Sequence, residues 1–530
     1  MHHGTTTVIT RIRPDALRTL EARLAEASAL RTSLFAGVPG LHFARWAIID
    51  LTAPEAAEGD RDLRLVFGAD FNVAQVDVGA RADAVQLDRS FLHHFVSWLL
   101  ELREQGARAA SVFDDLYRTC PGYPEQGLAA PAEVEDWLLQ HCVSATARHV
   151  DFAYRFESPD ELREAVDVLR AVNEHLDVRA PLLKETPWRG QADALPHLHR
   201  ELRDVALSVS STVADAQWTQ RLASARSDAA TASLRYPFYR YLWTIPAIQG
   251  LRLWLALFGP KPPAKVWGPC APELTSRRSP PPPHDAMVQH PMVHVARITG
   301  GRAAVWLTKL ALPSVNLRLR RYVVGLNHIR TIHCARWLLH GDARGGHHLL
   351  FFSNYDDSWE AYIDSFVDHK DVRDFLELIW RRTEGFPQKT RGFVPTRAWW
   401  GGWKKGLPVE PFKAWLRGHE VPTQVWYSAA LDGGPRQRHS VVLLHDALRL
   451  RELLARERID RPLRDWPARR ALATFLSHGA FVPGRALLRL PALLHHSLSA
   501  LAAGLRTWRK PRVLDRPAFP PYSAHAPGAA

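Results

Sequence analysis

The sequence predicts an α+β fold built from two copies of one unit, and three observations carry that expectation. Leu41-His42-Phe43-Ala44-Arg45-Trp46 returns as Ile332-His333-Cys334-Ala335-Arg336-Trp337, and Leu65–Phe71 returns as Leu349–Tyr355. Val112–Pro124 (VFDDLYRTCPGYP) aligns without a gap on Phe375–Pro387 (FLELIWRRTEGFP), and Trp137-Leu138 with His141 aligns on Trp415-Leu416 with His419. Around both sets of blocks, alternating and helix-periodic segments follow in one order.

The elements of the first copy can be justified in turn. Thr6–Arg11 alternates as a strand, and Pro14 opens a helix to about Ala27 because its fixed φ suits a first helical turn. Strands Leu41–Asp50 and Arg64–Asn72 flank a loop holding Pro54 and Gly59. Phe91–Glu104 and Ser111–Arg118 have helical period, and Cys120-Pro121-Gly122 stops them. Glu133–His141 is a short helix, His149–Phe156 a closing strand, and Asp160–His175 a helix beyond it. The second copy offers strands Val293–Ile298, Ile332–Leu339, Leu349–Tyr355 and Gln424–Ala429 in the same places. Asp357 or Ser358 should cap a helix at Trp359–Phe366, with Glu360 in its first turn.

Strand–helix–strand–strand–helix–strand is the order of a ferredoxin-like sandwich, whose sheet leaves one apolar face uncovered. Two copies can bury those faces against one another. In this respect the chain resembles the dimeric α+β barrel superfamily, with both halves in one polypeptide. The expected organisation is a first repeat at 1–178, a helical insert with an apolar aromatic segment at 179–259, a Pro-rich linker at 260–291, a second repeat at 292–460, and a basic, apolar helical tail at 461–530. The paired HFARW and SNYDDSWE blocks also resemble an uncharacterised bacterial family. The superfamily includes haem peroxidases and metal-free monooxygenases, so the resemblance implies a haem-dependent oxidoreductase as one expectation. The peroxidases' GxxDG motif is absent, since Leu431-Asp432-Gly433-Gly434 reads as a turn.

Composition narrows the partners. The 530 residues are 46% hydrophobic and 23% charged, which suits a folded protein. Cys120, Cys142, Cys270 and Cys334 form no CxxC pair, and the opening Met1-His2-His3-Gly4 has no secretory pattern, so a reducing cytoplasmic setting is expected. The net charge of +13 is concentrated late, with 15 Lys/Arg against 5 Asp/Glu from Arg449 to Arg516. Tyr241–Leu251 and Leu490–Leu505 are uncharged runs of 11 and 16 residues, too short to span a bilayer unaided. Apolar segments edged by Arg252 or by Arg506, Arg509, Lys510 and Arg512 fit peripheral attachment to an anionic membrane surface. The competing reading is that both are core helices. Nucleic acid is the weaker polyanion partner, because neither central strand has the basic-Gly-aromatic pattern of RNA-recognition modules.

Three groups of residues are candidates for chemistry. Alternation sets Arg45 and Arg336 on corresponding strand faces, where guanidinium forks at the axis could clamp an anion or carboxylate, with a small-molecule or lipid ligand as candidate partner; His333, set with Trp337 on the face opposite Arg336, is the third catalytic candidate. The competing reading pairs each arginine with a carboxylate of its own copy, Asp70 or Asp356. The superfamily resemblance implies a haem ligand on a late helix, which places His419, and less so His141, as axial ligands with Trp415 packing beside the macrocycle. The alternative is that both histidines finish their helices. Asp356, Asp357 and Glu360 lie too close along the chain to predict a cation site. Walker, GxSxG and HExxH motifs are absent, which withdraws the usual support for nucleotide, serine-ester and zinc-dependent hydrolysis.

Overall fold

The computed structural model describes residues 2–30, 34–52, 61–73, 84–143, 148–152, 157–185, 194–210, 289–322, 331–368, 379–386, 410–429 and 440–454. The apolar runs at 241–251 and 490–505, and the basic tail, lie outside the described residues. All described elements belong to one compact unit spanning Met1–Ala455. The fold is mixed helix and strand in separate runs, the α+β class the sequence predicts.

In the first half, strands β1 (His2–Arg11), β2 (Leu41–Asp50) and β3 (Leu63–Val73) are followed by helices that cover one face. Helix α1 (Leu17–Ala29) separates β1 from β2, and α2 (Ala84–Glu104), α3 (Arg108–Tyr117) and α4 (Pro131–Gln140) follow β3. Leu20 and Leu24 of α1, Phe91, Phe95 and Leu99 of α2, and Phe113, Leu116 and Tyr117 of α3 pack with Ala44, Trp46, Phe67 and Phe71. The i, i+4 spacing of these helical residues presents one apolar stripe to the sheet, and period-two alternation supplies the facing strand residues.

The chain then passes strand β4 (Arg148–Phe152) and helices α5 (Pro159–Glu185) and α6 (Ala194–Val209). The second half holds β5 (Gln289–Arg297), α7 (Gly301–Tyr322), β6 (Ile332–Gly341), β7 (His347–Asp356), α8 (Trp359–Asp368) and α9 (Glu410–Gly418). It ends with β8 (Glu420–Val421), β9 (Val425–Ser428) and α10 (Val441–Leu454). Ser358 caps α8, its Oγ accepting the Ala361 N–H at 3.2 Å, as expected for one of the two candidates.

The strand connections depart from a self-contained repeat. One sheet has the order β1-β3-β2-β9 and the other β4-β6-β7-β5-β8, with every pairing antiparallel. The closing strand of each half therefore sits in the sheet of the other. Phe43–Trp46 pairs with Val425–Ser428, and Cys334–Leu338 with Arg148–Phe152. Before crossing, each half brushes its own first strand, through the Val8–Cys142 bridge and the β5–β8 pairing. The cores follow the exchange. Val425, Tyr427 and Ala429 pack among first-half residues, whereas Leu162, Ala165 and Val166 of α5 pack among second-half residues. The expected divisions at 178 and 292 are thus sequence boundaries that neither sheet respects.

The uncovered faces of the two sheets meet. Ile9, Ala47, Ile49 and Val66 on one side pack against Val293, Leu338, Leu350 and Phe352 on the other, a thin apolar layer that leads to a polar centre.

Candidate functional site at the crossing of two buried arginines

Arg45 and Arg336 enter the layer between the sheets from β2 and β6, and each is 1% exposed. Each reaches into the opposite sheet. Arg45 donates from Nη1 to Met292 O at 2.9 Å and Ser353 O at 3.1 Å, and from Nη2 to Asn354 Oδ1 at 2.5 Å. Arg336 donates from Nη1 to Thr5 Oγ1 at 2.5 Å, Thr6 O at 3.3 Å, Ala69 O at 3.0 Å and Asp70 Oδ1 at 3.2 Å. Under the block alignment, Thr6 corresponds to Met292, Ala69 to Ser353 and Asp70 to Asn354, so the two networks match position for position. The expectation that each arginine pairs within its own copy is corrected: the partners lie across the interface. The reason is geometric, since side chains on the bare face of one sheet point away from their own strands and towards the other sheet.

One difference between the networks sets the electrostatics. Asp70 supplies a carboxylate on one side, and Asn354 supplies a neutral amide on the other. The Asn354 amide is oriented by its neighbours: Oδ1 also accepts Trp426 Nε1–H at 3.1 Å, and Nδ2 donates to Asp70 Oδ2 at 3.3 Å and Cys334 Sγ at 2.9 Å. The Cys334 thiol donates to Asp70 Oδ2 at 3.2 Å, and burial together with that carboxylate pushes its pKa well up, which keeps it protonated. Burial, reinforced by the Arg336 charge, draws Arg45 down to about 10, so it stays charged at neutral pH. Phe352 lies beside both guanidiniums, 5.8 Å from Arg45 and 4.8 Å from Arg336.

Two histidines flank this centre at matching irregularities. The registers of β2 and β6 each slip by one residue, at His42 and at His333, and such a bulge re-aims its side chain. His42 bonds Asn72 and stacks on His3 with ring centroids 5.1 Å apart. His333 is fully buried, with Nε2 2.7 Å from Asp356 Oδ1 and the Phe43 ring edge-on at 5.4 Å. The acid and amide have changed places here relative to the arginine partners: Asp70 and Asp356 are acids, Asn354 and Asn72 amides. Burial lowers the His42 pKa to about 4, leaving it neutral. The other Asp356 oxygen accepts the Val441 N–H at the start of α10, so the His333–Asp356 pair also anchors a helix.

His141 and His419 lie apart from the arginine crossing. Each follows the last residue of its helix, with Nδ1 2.8 Å from the carbonyl oxygen of Trp137 or Trp415 and its ring packed beside that indole. His294 stands 5.6 Å from His419 between ring centroids. This arrangement recurs in both halves and is that of a helix-end cap. It carries no mark that singles out an iron ligand. Among the described residues, no group of three His, Cys, Asp or Glu side chains is placed to hold a metal ion.

The structure thus brings Arg45, Arg336 and His333 into one buried region and leaves His141, His419 and Trp415 elsewhere. Sequence reasoning missed Thr5, Asn354 and Cys334 as members of the centre. The exchange of Asp and Asn between aligned positions 70/354 and 72/356 was the available signal for it. No family model matches the chain, and no curated protein or solved structure matches it either.

Proposed function

We propose that this chain is a peripheral membrane protein: two ferredoxin-like repeats packed as an intramolecular α+β barrel, held to an anionic lipid surface. The observation that carries the reading is the outward face of α7. Ala304, Val305, Leu307, Thr308, Ala311 and Leu312 are buried, while Arg302, Trp306 and Lys309 are exposed. Trp306 is 60% exposed, and the Lys309 ammonium lies 5.6 Å from its ring centroid. The helix carries five cations (Arg302, Lys309, Arg318, Arg320 and Arg321) and no acid. An exposed indole among cations suits the headgroup layer, where the ring is part apolar and lysine or arginine meets lipid phosphate. The basic, apolar tail seen in the sequence would add to the same attraction. Among the described residues no helix is long and apolar enough to cross a membrane.

Sedimentation with phosphatidylserine-containing vesicles tests this. Each cation near such a surface contributes about 1 kcal/mol. The double variant Arg302→Glu, Lys309→Glu should therefore bind at least ~30-fold more weakly at low salt, and neutral vesicles should bind poorly. Equal pelleting of wild type and variant would remove α7 from the contact. Wild-type protein left in the supernatant with anionic vesicles would refute the proposal.

A further inference from the structure

Among the described residues, the crossing of the two arginines holds more positive than negative charge, and some of its donors are left over. Two guanidiniums face, among the described residues, one carboxylate, Asp70, bonded to Arg336, because the thiol of Cys334 is protonated and Asn354 is neutral. His42 is neutral as well, and His333 faces its own carboxylate, Asp356. A buried cation without a counter-charge is strongly unfavourable, so this centre calls for one more negative charge.

The unsatisfied N–H and O–H groups show where that charge would sit. Arg336 spends its acceptors on Nη1 alone, and Nε and Nη2 have no hydrogen-bond partner among the described residues. Those two atoms form the fork with which arginine grips an anion side-on. Nη2 lies directly over Gly68, where a Cβ would collide with it. Gly68 is flanked in register by Thr7 on β1 and Arg45 on β2, so all three positions share one face. Thr7 Oγ1 and Arg45 Nε are likewise buried without partners. On the opposite sheet the positions aligned with Thr7 and Gly68 are Val293 and Phe352. One side of the pseudo-symmetric centre is thus filled with hydrocarbon, and the other has a hydroxyl and, in the space a side chain on Gly68 would take, the Arg336 guanidinium.

We propose that the Nε–Nη2 fork of Arg336, with Thr7 Oγ1 and Arg45 Nε, binds one small monovalent anion, a halide or a formate-sized carboxylate, beside the guanidinium that packs on Gly68, between the two sheets. The anion completes the charge balance of the centre and ties β6 to β1 and β2. It is independent of the membrane reading, since it involves none of the residues of α7.

The experiment is thermal melting of the full chain at fixed ionic strength, after exchange into chloride, bromide, formate or the bulky anion gluconate. The small anions should raise Tm by a few degrees over gluconate, saturating with concentration. Thr7→Val, nearly isosteric and already present at the aligned position as Val293, should reduce the difference. Arg45→Gln, which balances the charge, should abolish it, and Asp70→Asn should enlarge it. A bromide-exchanged crystal provides the direct readout on wild-type protein: an anomalous peak beside Arg336 Nε and Nη2. A response to halides alone identifies a halide site, and a response to formate as well identifies a carboxylate-sized one. Identical melting in chloride and gluconate overturns the proposal, with or without bromide density, since a peak lacking a solution effect marks an adventitious ion only.

Discussion

Among the described residues Asp70 is the one carboxylate that touches Arg336, and it also receives the Thr5 hydroxyl at 3.1 Å and the Cys334 thiol. Removing one partner from a buried charge network typically costs 3–5 kcal/mol, because the charge left behind cannot return to water. Asp70→Asn should therefore lower the unfolding free energy by about 3–5 kcal/mol in urea titrations without added small anion. A change at Arg11, at the far end of the neighbouring strand β1 and away from the crossing, should cost far less. Histidine sets the acid limb of stability. Burial holds His42, His340 and His348 each near pKa 4, so all three are neutral in the folded protein at pH 6. The unfolded chain protonates them below about 6.5, so stability should fall as the pH drops from there towards 4, by up to about 1.4 kcal/mol per pH unit for each. Denaturation midpoints between pH 7 and 4.5 check this. A flat profile would contradict the burial of these rings. At this scale the sequence was partly legible. Alternation put both arginines on matching faces, but the acceptors they found lie some 250 to 330 positions away along the chain, beyond any local pattern.

Elements were the most legible scale. Strand Leu41–Asp50 has the bounds its alternation predicts, and Arg64–Asn72 extends by one residue at each end. Helix α2 begins seven residues before the expected Phe91, since Ala84–Ser90 carries only Val85 and Leu87 as large apolar residues and no aromatic one. The opening helix starts with a single 3-10 turn at Pro14–Ala16 before α1 proper. What the strands do with one another was not legible. An alternating segment announces a strand and its buried face, but the edge it joins is settled by tertiary packing. Ser358 offers a test of local encoding. Its hydroxyl accepts a first-turn N–H of α8, and Ser358→Ala should cost about 1 kcal/mol in stability, with Ser358→Asp retaining most of it. Indistinguishable urea midpoints for Ser358→Ala and wild type would show that tertiary contacts of Trp359 and Tyr362 hold the helix start instead.

For the whole molecule, the exchanged closing strands make the two halves interdependent. Residues 1–259 would lack β9 beside β2, and residues 260–530 would lack β4 and α5. Expressed singly, each should give poorly dispersed amide spectra, and co-expressed they should copurify as a one-to-one complex. A folded, monomeric 1–259 fragment would show that the exchange is dispensable. The block repeats in the sequence pointed to a two-fold arrangement of elements, and the matched arginine networks follow that alignment. The asymmetry of those networks, one acid and one amide, comes from divergence at single positions and gives the centre its charge.

The pairing of β2 with β9 also sets a clock on synthesis. Trp46 is made early, yet its neighbour Val425 leaves the ribosome only after nearly the whole folded unit has been translated. At 5–20 residues per second that interval is roughly 20–80 s. Throughout it, β2 is an open strand edge with Arg45 lacking its acceptors, since these too are supplied by the later half. The nascent chain is therefore exposed to mispairing with its neighbours on a polysome, and its yield should depend on holding chaperones and on the speed of elongation through the second half.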